Sequence, residues 1–217
     1  METGTVSKVL SIIVILVGFS VMVGWWFHIP ILTSILPHWV TMKFSTALSF
    51  VLSGIIVFVN SRYIFKESGL LQLILLATSF MVLLLMSSLL LSSISGISTG
   101  IEEFFVQEDS KSVKTVGLGR PSLGTMVSFV LIAISGVAVL LEVTQVRGVL
   151  SNIGYIVTVL GSFAIIGYLI DLPILYFYHE EYSTGMAFHT AILFVLLGFS
   201  LVRSSKIRSV KDINSPI

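Results

Sequence analysis

The chain has 217 residues, 55% of them apolar and only 11% charged, with a mean hydropathy of +1.05 and a formal net charge of +1. Soluble domains carry about 25% charged residues, so a soluble enzyme and a disordered chain are both excluded. So small a net charge also leaves no basic patch to hold a nucleic-acid backbone. Cysteine is absent, which removes disulfides, thiolate metal sites and thiol catalysis together.

Residues 9–42, 44–61, 68–101, 121–141, 148–170 and 182–202 contain no Asp, Glu, Lys or Arg. Each stretch reaches or approaches the roughly 20 apolar residues that a bilayer span requires. Helical form follows from the solvent, because in lipid each backbone N–H and C=O must be paired within its own segment. The reading is an all-α polytopic membrane protein with six spans, at about 9–27, 44–60, 69–92, 122–141, 149–169 and 187–202. Span one has a long apolar core and ends in Gly24-Trp25-Trp26-Phe27, so it reads as a retained helix rather than a cleaved signal. Pro30 and Pro37 stop it from running on into the next segment. Residues 1–203 form one membrane domain, and 204–217 a basic tail.

Basic residues orient the bundle. Lys8, Arg62, Lys66, Arg147, Arg203, Lys206, Arg208 and Lys211 fall on one side; Lys43, Lys111, Lys114 and Arg120 fall on the other, together with seven of the eleven acids. Both termini are therefore expected in the cytoplasm, with the protein in the plasma membrane. Trp25, Trp26, Trp39, Tyr168, Tyr176, Tyr178 and Tyr182 are expected to form an aromatic belt on the outer side.

The spans also repeat. Thr41-Met42-Lys43-Phe44-Ser45-Thr46-Ala47-Leu48-Ser49-Phe50 opens the second span, and Gly185-Met186-Ala187-Phe188-His189-Thr190-Ala191-Ile192-Leu193-Phe194 opens the sixth in the same register. The fourth opens with Leu123-Gly124-Thr125-Met126-Val127-Ser128-Phe129. Thr46, Thr125 and Thr190 are each followed four residues later by Phe50, Phe129 and Phe194. Upstream, Gly24-Trp25-Trp26-Phe27-His28-Ile29-Pro30 parallels Gly167-Tyr168-Leu169-Ile170-Asp171-Leu172-Pro173. These matches predict three parallel helical-hairpin repeats, at about 9–60, 69–141 and 149–202, around an axis along the membrane normal. The recurring threonine either packs and caps helix turns or points three hydroxyls into a central cavity.

The pattern Met-x-x-x-Thr-Ala-x-x-Phe-x-Leu-x-Gly after an outer connection resembles the N-terminal multi-pass membrane sensor region of bacterial and archaeal PAS-containing histidine kinases and diguanylate cyclases. The resemblance spans about residues 10–203. It implies a sensing membrane domain and carries no ligand-binding residue across. Only fourteen residues follow Arg203, so no output domain is expected here and a separate cytoplasmic partner would act in its place.

His28, His38, His179 and His189 all sit at outer helix ends or in outer connections, and Asp171 occupies the slot matching His28. Imidazole and carboxylate together suit zinc or copper, and imidazole titrates near neutrality. His28, His179, His189 and Asp171 are thus the candidate ligand or metal residues, against a plainer reading of hydrated interfacial side chains. No zincin spacing accompanies them. Gly96-Ile97-Ser98-Thr99-Gly100 fits a nucleophile elbow in letters only, since it follows a helix instead of a strand. Gly117 and Gly119 read as turn residues before the fourth span. The longest polar connection, residues 93–121, holds acids 102, 103, 108 and 109 and reads as a solvated cap. No ionisable group falls midway through any span, which counts against ion transport.

The expected function is non-enzymatic and cofactor-free: a membrane signal-input module acting through a cytoplasmic signalling protein. The alternative is an accessory subunit contacting other subunits of a membrane complex, and a small transporter or channel ranks third. The lipid bilayer is a partner on any of these readings.

Overall fold

A computed structural model describes residues 2–36, 38–63, 68–97, 99–102, 104–106, 119–177 and 184–206. Its elements are α1 (Glu2–Trp26), the short α2 (Pro30–Thr33), α3 (Phe44–Tyr63), α4 (Gly69–Ser95), α5 (Leu123–Leu140), α6 (Val146–Leu169), a 3-10 turn at Pro173–Leu175 and α7 (Phe188–Ser205). Among the described residues there is no strand. Six of these helices are long and apolar enough to cross a bilayer, so the chain is a multi-pass membrane protein. The helices cover all six expected spans. α1 begins several residues earlier than hydropathy alone suggests, because Ser7 and Lys8 belong to its first turns.

Two layers organise the bundle. In α1, α4 and α6 only 33% of the spanning residues are buried, whereas in α3, α5 and α7 the shares are 72%, 56% and 67%. The second group therefore forms the centre, and Leu, Ile and Phe on the first group face outward. Consecutive long helices pair as antiparallel hairpins, each hairpin packs on the next, and α7 closes the ring on α1. At the centre the rings of Phe50, Phe129 and Phe194 meet one another at centroid distances of 4.7–4.9 Å. Thr46, Thr125 and Thr190 lie buried one turn before them. The Thr125 amide and hydroxyl both meet the hydroxyl of Ser122, the N-cap of α5.

Small residues set the helix separation. A Cβ on Gly198 would fall 2.5 Å from the Gly154 carbonyl oxygen, and one on Gly54 would fall 3.0 Å from that of Ser11. Contacts this close bring backbones together where apolar burial supplies no drive for helix association. At the end where α1 starts and α7 finishes, the tail end, Ser7 lies 2.7 Å from the hydroxyls of both Ser200 and Ser204. Ser200 donates in turn to the Ser7 carbonyl at 3.0 Å. The first and last helices are thereby tied.

Candidate functional site

Where α3, α5 and α7 begin, the described parts of the connections form a cap, and its chemistry centres on Glu102. The sequence reading treats this carboxylate as solvated, and the structure corrects that. Glu102 is only 7% exposed. Its oxygens accept hydrogen bonds from the Ser92 hydroxyl, from the Thr99 amide and hydroxyl, each at 3.2 Å, and from the Arg120 guanidinium at 3.3 Å. Arg120 also donates to the Ile97 carbonyl at 3.2 Å. Burial alone would raise the Glu102 pKa, but the donors from Ser92 and Thr99 stabilise the anion more, and it falls to about 2. The group is charged throughout the physiological range.

The backbone is shaped around this carboxylate. α4 ends at Gly96 in the left-handed conformation, φ 69°, which turns the chain back toward Ser92. Gly119 has φ 70°, and a Cβ there would sit 1.9 Å from the Glu102 carbonyl oxygen. Only glycine fits. Gly119 thus acts as a turn residue and brings Arg120 onto Glu102, while Gly117 lies outside the described residues.

The first hairpin reaches the same place. Phe44 stacks on Phe105 at 5.5 Å, and the Trp25 indole donates to the Met42 carbonyl at 2.8 Å. Trp25, Lys43, Phe44, Ser45, Glu102, Phe105, Val106 and Gly119 line a small cavity open to the outside. Its sheltered part holds about one water molecule. Lys43, at 3% exposure, is buried in its wall. A drug-sized organic ligand does not fit there.

The residues singled out in the sequence are distributed differently. His28 and Asp171 each take a positive φ, 53° and 51°, just after α1 and α6. His189 lies in the first turn of α7, with both ring nitrogens buried and no hydrogen-bond partner. His179 lies outside the described residues. Among the described residues no three His, Asp or Glu side chains converge on a point that would hold a metal.

The aromatic belt is also partly internal. Trp39 packs on Tyr168 and Phe188 at 5.0 and 4.8 Å, the Tyr168 hydroxyl donates to the Met186 carbonyl at 3.0 Å, and Tyr176 is buried against Tyr168. Tyr178 and Tyr182 lie outside the described residues. Sequence reasoning missed Glu102 and Arg120 as a unit. The available signal was that Glu102 is the first charge after the charge-free run 68–101, with Ser92, Ser95 and Thr99 within reach.

The chain matches no family model, no curated protein and no solved structure.

Proposed function

We propose that this protein is a membrane signal-input module in which the cap receives the signal and the tail end passes it to a cytoplasmic protein. One observation carries the reading: buried Glu102, paired with part-buried Arg120 just before α5 and bonded to Ser92 of α4, lines a cavity together with Trp25, Lys43 and Phe44 of the first hairpin. A change at that point bears on two hairpins at once. The serine contacts between α1 and α7 then offer a route to the C-terminal tail. Eight basic residues on the tail side against four on the cap side support a cytoplasmic tail and a plasma-membrane location.

Three parallel hairpin repeats are part of this proposal. Support comes from contacts that recur at matching positions of the first and third hairpins. Ile29 N–H donates to the Gly24 carbonyl and Leu172 N–H to that of Gly167, both at 2.8 Å. The Met42 amide meets the Thr33 carbonyl at 2.9 Å, and that of Met186 meets the Tyr176 carbonyl at 2.7 Å. Gly18 abuts the Ala47 carbonyl as Gly161 abuts that of Ala191. On this proposal the signal is a shift of the hairpins relative to one another around the phenylalanine trio.

Spin labels on Val143→Cys and Lys206→Cys test the mechanism. In a signal-input module, neutralising the cap with Glu102→Gln changes the distance distribution between the two tail-end labels. A rigid accessory subunit keeps the same distribution and copurifies from native membranes with catalytic subunits, and that pair of results refutes the proposal.

A further inference from the structure

The seam between α3 and its neighbours α4 and α5 carries a row of buried polar groups. Ser45, Ser49, Ser53 and Asn60 of α3, and Ser79 of α4, are each at most 3% exposed. None of the four hydroxyls, and neither end of the Asn60 amide, meets a hydrogen-bond partner. Steps of three and four residues place Ser45, Ser49, Ser53, Ile56 and Asn60 on one face of α3. That face looks toward α4 and α5, because a Cβ on Gly136 of α5 would lie 3.0 Å from Ile56 Cγ2 and 2.2 Å from Ser79 Oγ. At its upper end Ser45 lines the cap cavity.

Local backbone bonding does not explain the row. Ser11, Ser61, Ser88, Ser128, Ser135 and Ser205 each donate to a carbonyl three or four residues earlier. The seam serines sit on comparable helical backbone and turn away from that option. Asn60 has no equivalent escape, since its amide needs both donors and acceptors. In lipid, no bulk solvent compensates such groups. Buried polar atoms without protein partners are where ordered water is found.

We propose that ordered water occupies this seam, entering at the cap cavity beside Ser45 and reaching Ser53, Ser79 and Asn60. Water is the ligand class because the entrance admits about one such molecule. Residues 44–61, 69–95 and 123–140 around it contain no Asp, Glu, Lys, Arg or His, so the charges nearest the seam are Glu102 and Lys43 at its entrance and Arg62 past Asn60 in the sequence. The inference stands apart from the signalling proposal and holds equally for an accessory subunit.

Thiol hydrogen exchange tests it, since the chain contains no cysteine to interfere. Ser49→Cys and Ser53→Cys, with Val157→Cys on α6 as a fully buried control of similar size, are placed singly in the whole chain in nanodiscs. On transfer to D2O, the infrared S–H band of the two seam variants should convert to S–D at least tenfold faster than that of the control. Exchange at the control's rate overturns the proposal. Should a seam cysteine prevent folding, the Tm of Ser53→Ala decides: a fall fits the loss of a water partner, and a rise means that the hydroxyl was dry.

Discussion

Two seams of this bundle carry buried serines, and the two treat them in opposite ways. Where α7 meets α1, the Ser7 hydroxyl sits 2.7 Å from those of both Ser200 and Ser204 and pairs with each. Where α3 meets α4 and α5, Ser49, Ser53, Ser79 and Asn60 find no protein partner. A hydroxyl in a lipid-embedded interface joins helices only when its complement faces it across the seam. The α1–α7 seam is therefore a clasp holding the first and third hairpins at the tail end. The α3–α4–α5 seam has no such pairing of hydroxyls, and the ring contacts between the first and second hairpins are Phe50 on Phe129 at the centre and Phe44 on Phe105 at the cap.

The largest effect that can break this contrast is expected at the cap. Glu102→Ala strands Arg120 and opens the top of the second hairpin, and should cost about 3–5 kcal/mol of stability, read as a lower Tm in nanodiscs. A loss below about 1 kcal/mol would mean that the cap does not hold that hairpin. The same carboxylate sets a pH dependence. Its folded pKa of about 2 lies below the ordinary 4.5, so its contribution is full above pH 4.5 and fades as the pH falls toward 2. Tm in that window should fall for the wild type and stay flatter for Glu102→Gln, while Glu102 adds no slope between pH 5 and 8.

A smaller loss is expected at the clasp. Ser7→Ala removes the hydroxyl shared by Ser200 and Ser204 and should cost about 1–3 kcal/mol, a Tm drop measured under the same conditions. The smallest expected effect sharpens the comparison most. Ser7→Ala and Ser204→Ala should couple by about 0.5–3 kcal/mol in a double-mutant cycle, whereas Ser49→Ala and Ser204→Ala, in different seams, should add within about 0.5 kcal/mol. Equal coupling in the two cycles would erase the distinction between the seams.

Much of the fold is legible in the sequence because lipid imposes a one-dimensional rule. Segments without charge and of spanning length become helices, so apart from the start of α1 the six spans fall within a few residues of the observed ones, and α1 ends before Pro30 as expected, although the short α2 that Pro30 opens was not. The start of α1 was less legible: its first turns hold Ser7 and Lys8, and a hydropathy window discounts such residues although the helix continues through them. The candidate site was legible only in part. Counting placed the acids on the cap side, but Glu102 reads like its neighbours in the same connection. Its burial depends on Ser92 reaching up from α4, Thr99 folding over it and Gly119 letting the chain return close enough for Arg120 to meet it. Of the candidate histidines, His28 follows the end of α1 and His189 lies in the first turn of α7, while His179 lies outside the described residues.

Composition and charge spacing by themselves determined that the chain is helical, crosses a membrane six times and presents its long polar connection at one end. Each of those properties follows from the transfer of single segments between water and lipid, which is additive along the chain. Which serines are satisfied was decided by the tertiary structure alone. Ser7 and Ser200 are 193 residues apart, and Ser53 is as fully buried as either. A hydrogen bond needs a partner within about 3 Å at the right angle, and no property of one segment specifies what the neighbouring helix places opposite it.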